Sequence, residues 1–335
     1  MKPTFNSVKY GAMAFALLAA FGAAARADVE DKINKSFKAE PGGQLTLHVD
    51  RGSIELKSSD QATVEVEVIR KARGSDAKAK ETLGNHVVTF THDGNRIEIK
   101  AESKNSGASS WFGGWFGGQQ LQVSYRVTVP RKFDADLTTA GGSINVVQLT
   151  GKVQARTAGG SLKFEKLEGQ LSGHTSGGSI QVASAKGKVD LKTAGGSIRL
   201  SDIEGEVTAV TSGGSIDANN LTGKSVVKTS GGSIELGEIK GRMDARTSGG
   251  SIEATLLGQP AGDCTFKTSG GSVTLVLDGT VAVEVDAHTS AGRVSTELPV
   301  TSEVQKKNEL RGKINGGGPL ITARTSGGNV RLRKS

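Results

Sequence analysis

Apolar and polar residues alternate along most of the chain, in short runs separated by glycine-rich turns. Val189, Leu191 and Thr193 are spaced by polar residues, and a second run begins after two glycines at Ile198 and Leu200. Alternation with a period of two is typical of a β-strand that buries one side. The pattern therefore predicts two short strands in every eighteen residues.

These strands belong to a repeat whose signature is threonine, Ala or Ser, two glycines, serine and an aliphatic residue. The interval between marker threonines is eighteen residues from Thr139 to Thr247, twenty-one at Thr268 and Thr289, and thirty-six at Thr325. Ten markers predict an all-β fold, a parallel β-solenoid (β-helix or β-roll) of about ten coils that stack in sequence order. One coil is unstable alone, because ordering it costs more free energy than its few buried side chains return.

The residues that recur in every repeat have structural explanations within this fold. Two adjacent glycines permit a sharp bend, and a second glycine such as Gly187 marks the opposite bend. The marker threonines have inward parity, so their hydroxyls should be hydrogen-bonded between neighbouring coils. We therefore expect the signature to build the fold and the variable outward residues to carry the function.

The region before the repeat lacks the period but contains strand-like runs, such as Leu121–Val129. We expect residues 28–130 to form a mostly antiparallel β head that caps the solenoid of residues 131–335. Residues 51–54 resemble a degenerate repeat motif, residues 72–83 could form a short helix at most, and residues 300–318 should form a loop or cap beside the last coils.

The N-terminus has the features of a secretory signal peptide. Lys2 and Lys9 precede an apolar run that ends in Ala25-Arg26-Ala27, so residues 1–27 should be removed. The run is too short to span a bilayer, and no later segment has eighteen consecutive apolar residues. We expect an exported protein of the periplasm, cell envelope or extracellular space, without a transmembrane segment. The single cysteine, Cys264, occupies an inward position and should be buried.

Charge is concentrated in the repeat region. The whole chain has a net charge of +8, and residues 131–335 carry 25 basic and 20 acidic side chains. The outward residue before each marker threonine is basic or His in most coils, and the stacked coils should place these side chains in one column. The candidate polyanion-binding residues are Arg156, His174, Lys192, Lys228, Arg246 and Lys267, with His288 and Arg324 continuing the column after Lys267.

Two interpretations of this basic column remain open. It could bind a linear anionic polysaccharide or another cell-surface component, with strong salt dependence. Alternatively, the sole role of these lysines and arginines could be to keep a long sheet soluble. Nucleic acid is a poor partner, because this face lacks aromatic residues for base stacking.

Both tryptophans lie in one glycine-rich segment between two predicted strands. Trp111, Phe112, Trp115 and Phe116 could contact an apolar partner such as a membrane interface, or they could pack onto the head. The sequence does not decide between these alternatives.

Catalytic and metal-binding motifs are not evident. The five histidines do not have metal-ligand spacings, and the Gly-Gly-Ser motif is neither a nucleophile elbow nor a phosphate-binding loop. Asp217, Glu235 and Glu253 recur at one outward position, as a polysaccharide lyase or hydrolase would require. Neutral and basic residues continue that column, so a solvated surface is the better interpretation. We expect a non-enzyme without cofactor or metal.

The order of these segments resembles the bacterial putative-adhesin family of β-strand-repeat proteins. The resemblance rests on the head beginning near Phe37–Leu47, the strand ending at Val129-Pro130, the coils, and the closing segment Asn315–Thr325. It implies a β-helical fold and a binding, adhesion or stress-sensing role at the envelope, and it implies no catalytic residues. We therefore expect a binding scaffold; the alternative is a structural protein that self-associates end to end.

Overall fold

The computed structural model describes residues 29–104 and 121–335, which consist mostly of β-strands. The first range contains β1 Val29–Lys38, β2 Gly43–Val49, β3 Ser53–Ser59, β4 Thr63–Ala72, β5 His86–Asp93 and β6 Arg96–Ser103. Its helix, α1, spans Asp76–Asn85, close to the segment where a short helix was allowed. It is the single helix of the described ranges, and it is too short and polar to cross a bilayer.

The second range continues the strands to the C-terminus. They are β7 Leu121–Pro130, β8 Phe133–Thr139, β9 Ile144–Thr157, β10 Leu162–Thr175, β11 Ile180–Val182, β12 Ala185–Thr193, β13 Ile198–Thr211, β14 Ile216–Thr222, β15 Ser225–Lys228, β16 Ile234–Ile239, β17 Met243–Arg246, β18 Ile252–Leu256, β19 Cys264–Lys267, β20 Val273–Leu277, β21 Val283–Thr289, β22 Val294–Thr296, β23 Thr301–Lys306, β24 Glu309–Ile314, β25 Leu320–Thr325 and β26 Val330–Lys334. The predicted all-β class is confirmed.

Each repeat has two strand segments on opposite sides of a flattened core. We call the side that follows each Gly-Gly bend face A, and the side that ends at each marker threonine face B. The Gly-Gly bends form the glycine edge. At the opposite edge, which we call the far edge, Gln148 and Gly151 have φ values of 58° and 148°. Neighbouring repeats pair in parallel register, as Thr157 does with Thr175, so the chain has the predicted solenoid-like fold.

Inward side chains of the two faces have complementary sizes. Phe164 on face A lies opposite Gly173 on face B, where an added Cβ would be 3.2 Å from Phe164 Cε2. In a later coil the sizes are exchanged, because the small buried residue, Ala254, is on face A and the large one, Phe266, is on face B. A large residue on one face therefore requires a small one on the other, as expected of a close-packed interior.

The glycine edge is held together by the marker threonines. Thr157 Oγ1 donates a hydrogen bond of 2.8 Å to the carbonyl oxygen of Gly142 and accepts one of 3.3 Å from the Gly160 amide. Both bonds recur at each marker up to Thr325. The threonine hydroxyls are thus bonded between coils, as expected, and their partners are backbone groups of the bends.

The region assigned to the head shares its sheet with the repeat. β2 lies between β6 and β8, and β3 lies between β7 and β9, with parallel pairing throughout. Antiparallel strands β4 and β1 extend face A beyond β7, and antiparallel β5 extends face B beyond β6. The motif at residues 51–54 does act as a bend, because the carbonyl of Gly52 accepts the hydroxyl of Thr139.

The C-terminal end of the stack does not follow sequence order. β25 lies between β19 and β21, and β26 lies between β20 and β22, all in parallel. The expectation that the coils stack in sequence order is therefore wrong at this end, where the coil of Thr325 lies between those of Thr268 and Thr289. The hairpin of β23 and β24 packs antiparallel on β21, in the segment where a loop or cap was expected. The long segment between β22 and β25 gives the chain enough length to return and enter the stack.

The single cysteine is part of the core. Cys264 is 1% exposed, which confirms its predicted burial. Burial raises the pKa of its thiol, so the thiol stays protonated and poorly nucleophilic near neutral pH.

Candidate functional site

The predicted basic column lies on face B. Parallel pairing places Arg156 beside His174, His174 beside Lys192, and Lys228 beside Arg246. Lys267 follows Arg246, whereas Val210 interrupts the column between Lys192 and Lys228. Each outward side chain is one strand spacing, about 4.8 Å, from the next. The structure therefore brings all six candidate residues together in one line.

The column contains more residues than the sequence predicted. His48 pairs with Thr138 and Lys100 pairs with His48, which extends the column toward the N-terminal end. At the other end Arg324 lies between Lys267 and His288, so the predicted order of the last two residues is reversed. His48 could have been found from the degenerate bend at residues 51–54, but Lys100 has no nearby signature.

Acidic residues of the neighbouring outward column compensate part of this charge. Arg246 forms two hydrogen bonds, of 2.7 and 2.9 Å, to the carboxylate of Asp244. Lys192 lies 3.4 Å from Asp190. Further pairs of this kind join Lys100 to Glu98 at 2.7 Å, Arg156 to Asp136 at 3.3 Å, and Arg324 to Asp286 at 2.6 Å. Within the described ranges, Lys228 and Lys267 form no ion pair.

Face B nevertheless has a positive balance over the regular part of the stack. Between residues 152 and 267 its outward basic residues are Lys152, Arg156, Lys188, Lys192, Lys224, Lys228, Arg242, Arg246 and Lys267, and its acidic residues are Asp190, Glu206, Asp244 and Asp263. Face A, between residues 144 and 256, has Lys163 and Arg199 against Glu165, Asp217, Glu235 and Glu253. The two faces therefore carry opposite net charge.

A shallow cavity of about 300 Å³ opens on face B within this surface. Its charged lining consists of Lys224, Arg242 and Arg246 with Asp244 and Asp263. Neither Lys224 nor Arg242 forms an ion pair within the described ranges. These cations remain available to an anionic group that enters from solvent.

A larger concavity of about 870 Å³ lies on face A near β1 and β4, but its lining has as many acidic as basic side chains. Lys57 is 2.6 Å from Glu55, and Arg126 is 3.1 Å from Glu67. We therefore regard face B as the better candidate for ionic binding, although its concavities are smaller.

The environment of His174, within the column, changes the proton affinity of its imidazole. Partial burial lowers its pKa, and the nearby cations Lys192 and Arg156 lower it further. The imidazole is therefore mostly neutral at neutral pH, and an anion bound beside it would favour the protonated form.

The three acidic candidates lie on face A, opposite the basic column. No group of three or more His, Cys, Asp or Glu side chains in residues 29–104 and 121–335 is arranged to hold a metal ion. Asp217, Glu235 and Glu253 do form an adjacent column on face A, as the sequence predicted. Trp111, Phe112, Trp115, Phe116 and the signal-like residues 1–27 lie outside the described residues.

Comparison with solved structures gives distant likenesses. A "putative cell adhesion protein" from Clostridium sporogenes ATCC 15579 shares 10% identity, with a TM-score of 0.22 and coverage of 91% of this chain and 100% of that chain. A "putative adhesin" from Bacteroides fragilis NCTC 9343 shares 13% identity, with a TM-score of 0.30 and coverage of 91% and 97%. A "putative lipid binding protein" from Parabacteroides distasonis ATCC 8503 shares 10%, with a TM-score of 0.27 and the same coverages. Scores this low carry no argument for function.

No curated protein matches the chain at a significant level. A family profile, in contrast, matches residues 43–333, from β2 in the N-terminal region to β26 at the C-terminal end of the stack. The match includes both the regular coils and the strands before them. The chain therefore belongs to the Toastrack DUF4097 family.

Proposed function

We propose that this protein is an exported, non-catalytic scaffold that binds linear anionic polymers of the cell envelope along face B. The observation that carries the proposal is the outward column of Arg156, His174, Lys192, Lys228, Arg246 and Lys267, in which neighbours are one strand spacing apart except where Val210 intervenes. The signal-like residues 1–27 support export. The compensated pairs fix the orientation of Arg156, Lys192 and Arg246, while uncompensated lysines supply the net attraction.

The form of the site favours a polymer over a small ligand. The candidate cations form a line along the stack, and the cavity beside Lys224 and Arg242 is shallow. Small-molecule sites usually enclose most of the ligand, which this surface cannot do. A polymer gains from many weak ionic contacts, each of which is screened by salt.

The test is binding of fluorescently labelled polygalacturonate across a salt series, with neutral dextran as the comparison polymer. Lys228→Gln with Lys267→Gln removes the two uncompensated members of the column. If each contributes about 0.7 kcal/mol, the pair should lose about tenfold in affinity at low salt.

A matched control removes two cations from face A. Lys163 and Arg199 are outward residues on that face, so Lys163→Gln with Arg199→Gln should leave affinity within about twofold of the parent. Equal losses in both double variants would show a nonspecific charge effect and would reject face B as the site. Unchanged affinity in Lys228→Gln/Lys267→Gln would reject it as well.

The alternative, a structural protein that assembles end to end, has less support. Antiparallel β1, β4 and β5 extend one end of the parallel stack, and the β23–β24 hairpin extends the other. These strands replace three of the four parallel edges that another copy would have to continue, and the fourth, on face A at the C-terminal end, is the three-residue strand β22. If end-to-end growth does occur, deleting the hairpin should promote it, and filament lengths by electron microscopy would show the change.

A further inference from the structure

Face A carries an uncompensated acidic column. Asp217 pairs with Glu235, and Glu235 pairs with Glu253, so the three carboxylates project from adjacent strands. All three residues are exposed, and none forms an ion pair within the described ranges. The next outward positions toward the far edge hold Asn219, Gly237 and Thr255, which are uncharged.

Face B of the same three coils carries the opposite charge. Its outward residues in these coils include the basic Lys224, Lys228, Arg242, Arg246 and Lys267 and the acidic Asp244 and Asp263. The coils that bear three unpaired carboxylates on one side therefore bear an excess of three cations on the other. The two columns occur at the same height along the solenoid axis and have the same spacing.

The two columns also lie at the same distance from the glycine edge. Asp217 is three residues after Gly214, and Lys228 is three residues before Gly231. The same relationship holds in the next coil for Glu235 and Arg246. A second copy of the chain, shifted sideways without rotation, would place its acidic column directly over this basic column.

Exposed apolar residues lie at the far edge of both faces. Leu257, which follows face A in the third of these coils, is 49% exposed, and Leu320, which begins face B in the next coil of the stack, is 36% exposed. They are the large hydrophobic residues left exposed in the described ranges. After the same sideways shift, Leu257 of one copy and Leu320 of the other differ by about one strand spacing, 4.8 Å, along the solenoid axis.

We infer that copies of this protein pack side by side, with face A of one against face B of the next. The contact joins two different surfaces by a translation, so it does not close and rows of parallel solenoids can grow. Ionic pairing at three successive coils favours this register. A shift by one coil in one direction sets a carboxylate against Val210, and in the other it sets one against Arg324, which already pairs with Asp286. A polyanion on face B would compete with this contact.

This inference goes beyond the proposed polymer binding and can be separated from it experimentally. The variant Asp217→Asn/Glu235→Gln/Glu253→Gln neutralises the acidic column and leaves face B unchanged. The variant Lys228→Gln/Arg246→Gln/Lys267→Gln neutralises the basic residues opposite it and leaves face A unchanged. Sedimentation velocity of the mature chain at about 0.02 M salt measures association, and about 0.5 M salt should dissociate it because the contacts are ionic.

The parent protein should show a mass that rises with concentration, whereas each variant alone should remain a monomer. An equimolar mixture of the two variants should form a complex of twice the monomer mass and stop there, because one intact face of each kind is present. The acidic-column variant should still bind polygalacturonate as the parent does. Loss of that binding alone would contradict the proposed function and leave the side-by-side contact standing.

The control variant removes three carboxylates from the far edge. Glu168→Gln/Glu204→Gln/Glu238→Gln has the same change in net charge, and these exposed positions are outside both faces. It should associate as the parent does. A monomeric parent at low salt, monomers in the mixed sample, or equal loss of association in the control would each overturn the inference.

Discussion

Arg324 donates a hydrogen bond of 2.6 Å to Asp286 Oδ2, although the two residues are 38 positions apart in the sequence. The bond joins the last coil of the sequence to an earlier coil that lies outside it in the stack. The first coil, built from Gly43–Ser59, is likewise covered by β6 and β7, which follow it in sequence. The first and last coils of the sequence are thus held by neighbours on each side, which reduces the fraying expected at the ends of a solenoid.

The order of the C-terminal coils can be tested by crosslinking. Thr265 and Thr322 are register partners on adjacent strands. In a Cys264→Ala background, Thr265→Cys with Thr322→Cys should form an intrachain disulfide, because partners across a ladder lie within disulfide range. Counting free thiols after mild oxidation measures it.

The control for this experiment is Thr265→Cys with Asp286→Cys. These two positions would be partners if the coils stacked in sequence order, but Thr322 lies between them in the structure. They should keep both thiols free. A disulfide in this pair, with none in the other, would contradict the inserted coil.

The second glycine of each bend should not tolerate a side chain. A Cβ at Gly160 would lie 2.0 Å from the carbonyl oxygen of Gly142, so Gly160→Ala must displace backbone. We expect a loss of about 3 kcal/mol or more in the free energy of unfolding. At Gly159 the nearest atom would be 3.8 Å away, and Gly159→Ala should cost less than about 1 kcal/mol. Equal effects in urea denaturation would contradict this explanation of the Gly-Gly pair.

The marker threonines should contribute through their hydroxyls. Thr193 Oγ1 donates to the carbonyl of Gly178 and accepts from the amide of Gly196. Thr193→Val keeps the shape but leaves two partly buried backbone groups unpaired, at an expected cost of about 1–3 kcal/mol. Thr193→Ser retains the hydroxyl and should lose less in the same urea titration. A valine variant as stable as the parent would show that these bonds are dispensable.

Stability should depend on pH through His86. Its side chain is buried, its Nδ1 has no hydrogen-bond partner, and burial lowers its pKa despite the nearby Asp50 carboxylate. The unfolded chain therefore takes up a proton near the ordinary pKa of 6.5 while the folded chain does not. The resulting stability is present above that pH and is lost as the pH falls below it.

Urea denaturation at about pH 7.5 and about pH 5.5 would measure this effect. His86→Gln should lower stability at the higher pH, since it alters the contact with Tyr125, but should reduce the difference between the two pH values. An unchanged difference would assign the pH dependence to other groups.

Polymer binding should strengthen in mild acid through His174. Burial and the neighbouring cation of Lys192 lower the pKa of His174 in the free protein, and a bound anion would raise it. Binding is then accompanied by proton uptake, so affinity for polygalacturonate should increase as the pH falls below neutrality. His174→Gln should reduce this increase, whereas His92→Gln, outside the column, should not. The two variants behaving alike would exclude His174 from the site.

The alternation around residues such as Val189 and Leu191 and the repeated Thr-x-Gly-Gly-Ser signature were sufficient to predict the strands, the bends and the outward basic column. These features depend on local periodicity, which can be read from the order of neighbouring residues. Only the tertiary structure placed Lys100 and His48 in the column, inserted Arg324 before His288, and paired Arg156 with Asp136. These relationships depend on which strands become neighbours when the chain returns on itself, and residues far apart in sequence carry no local signal of that choice.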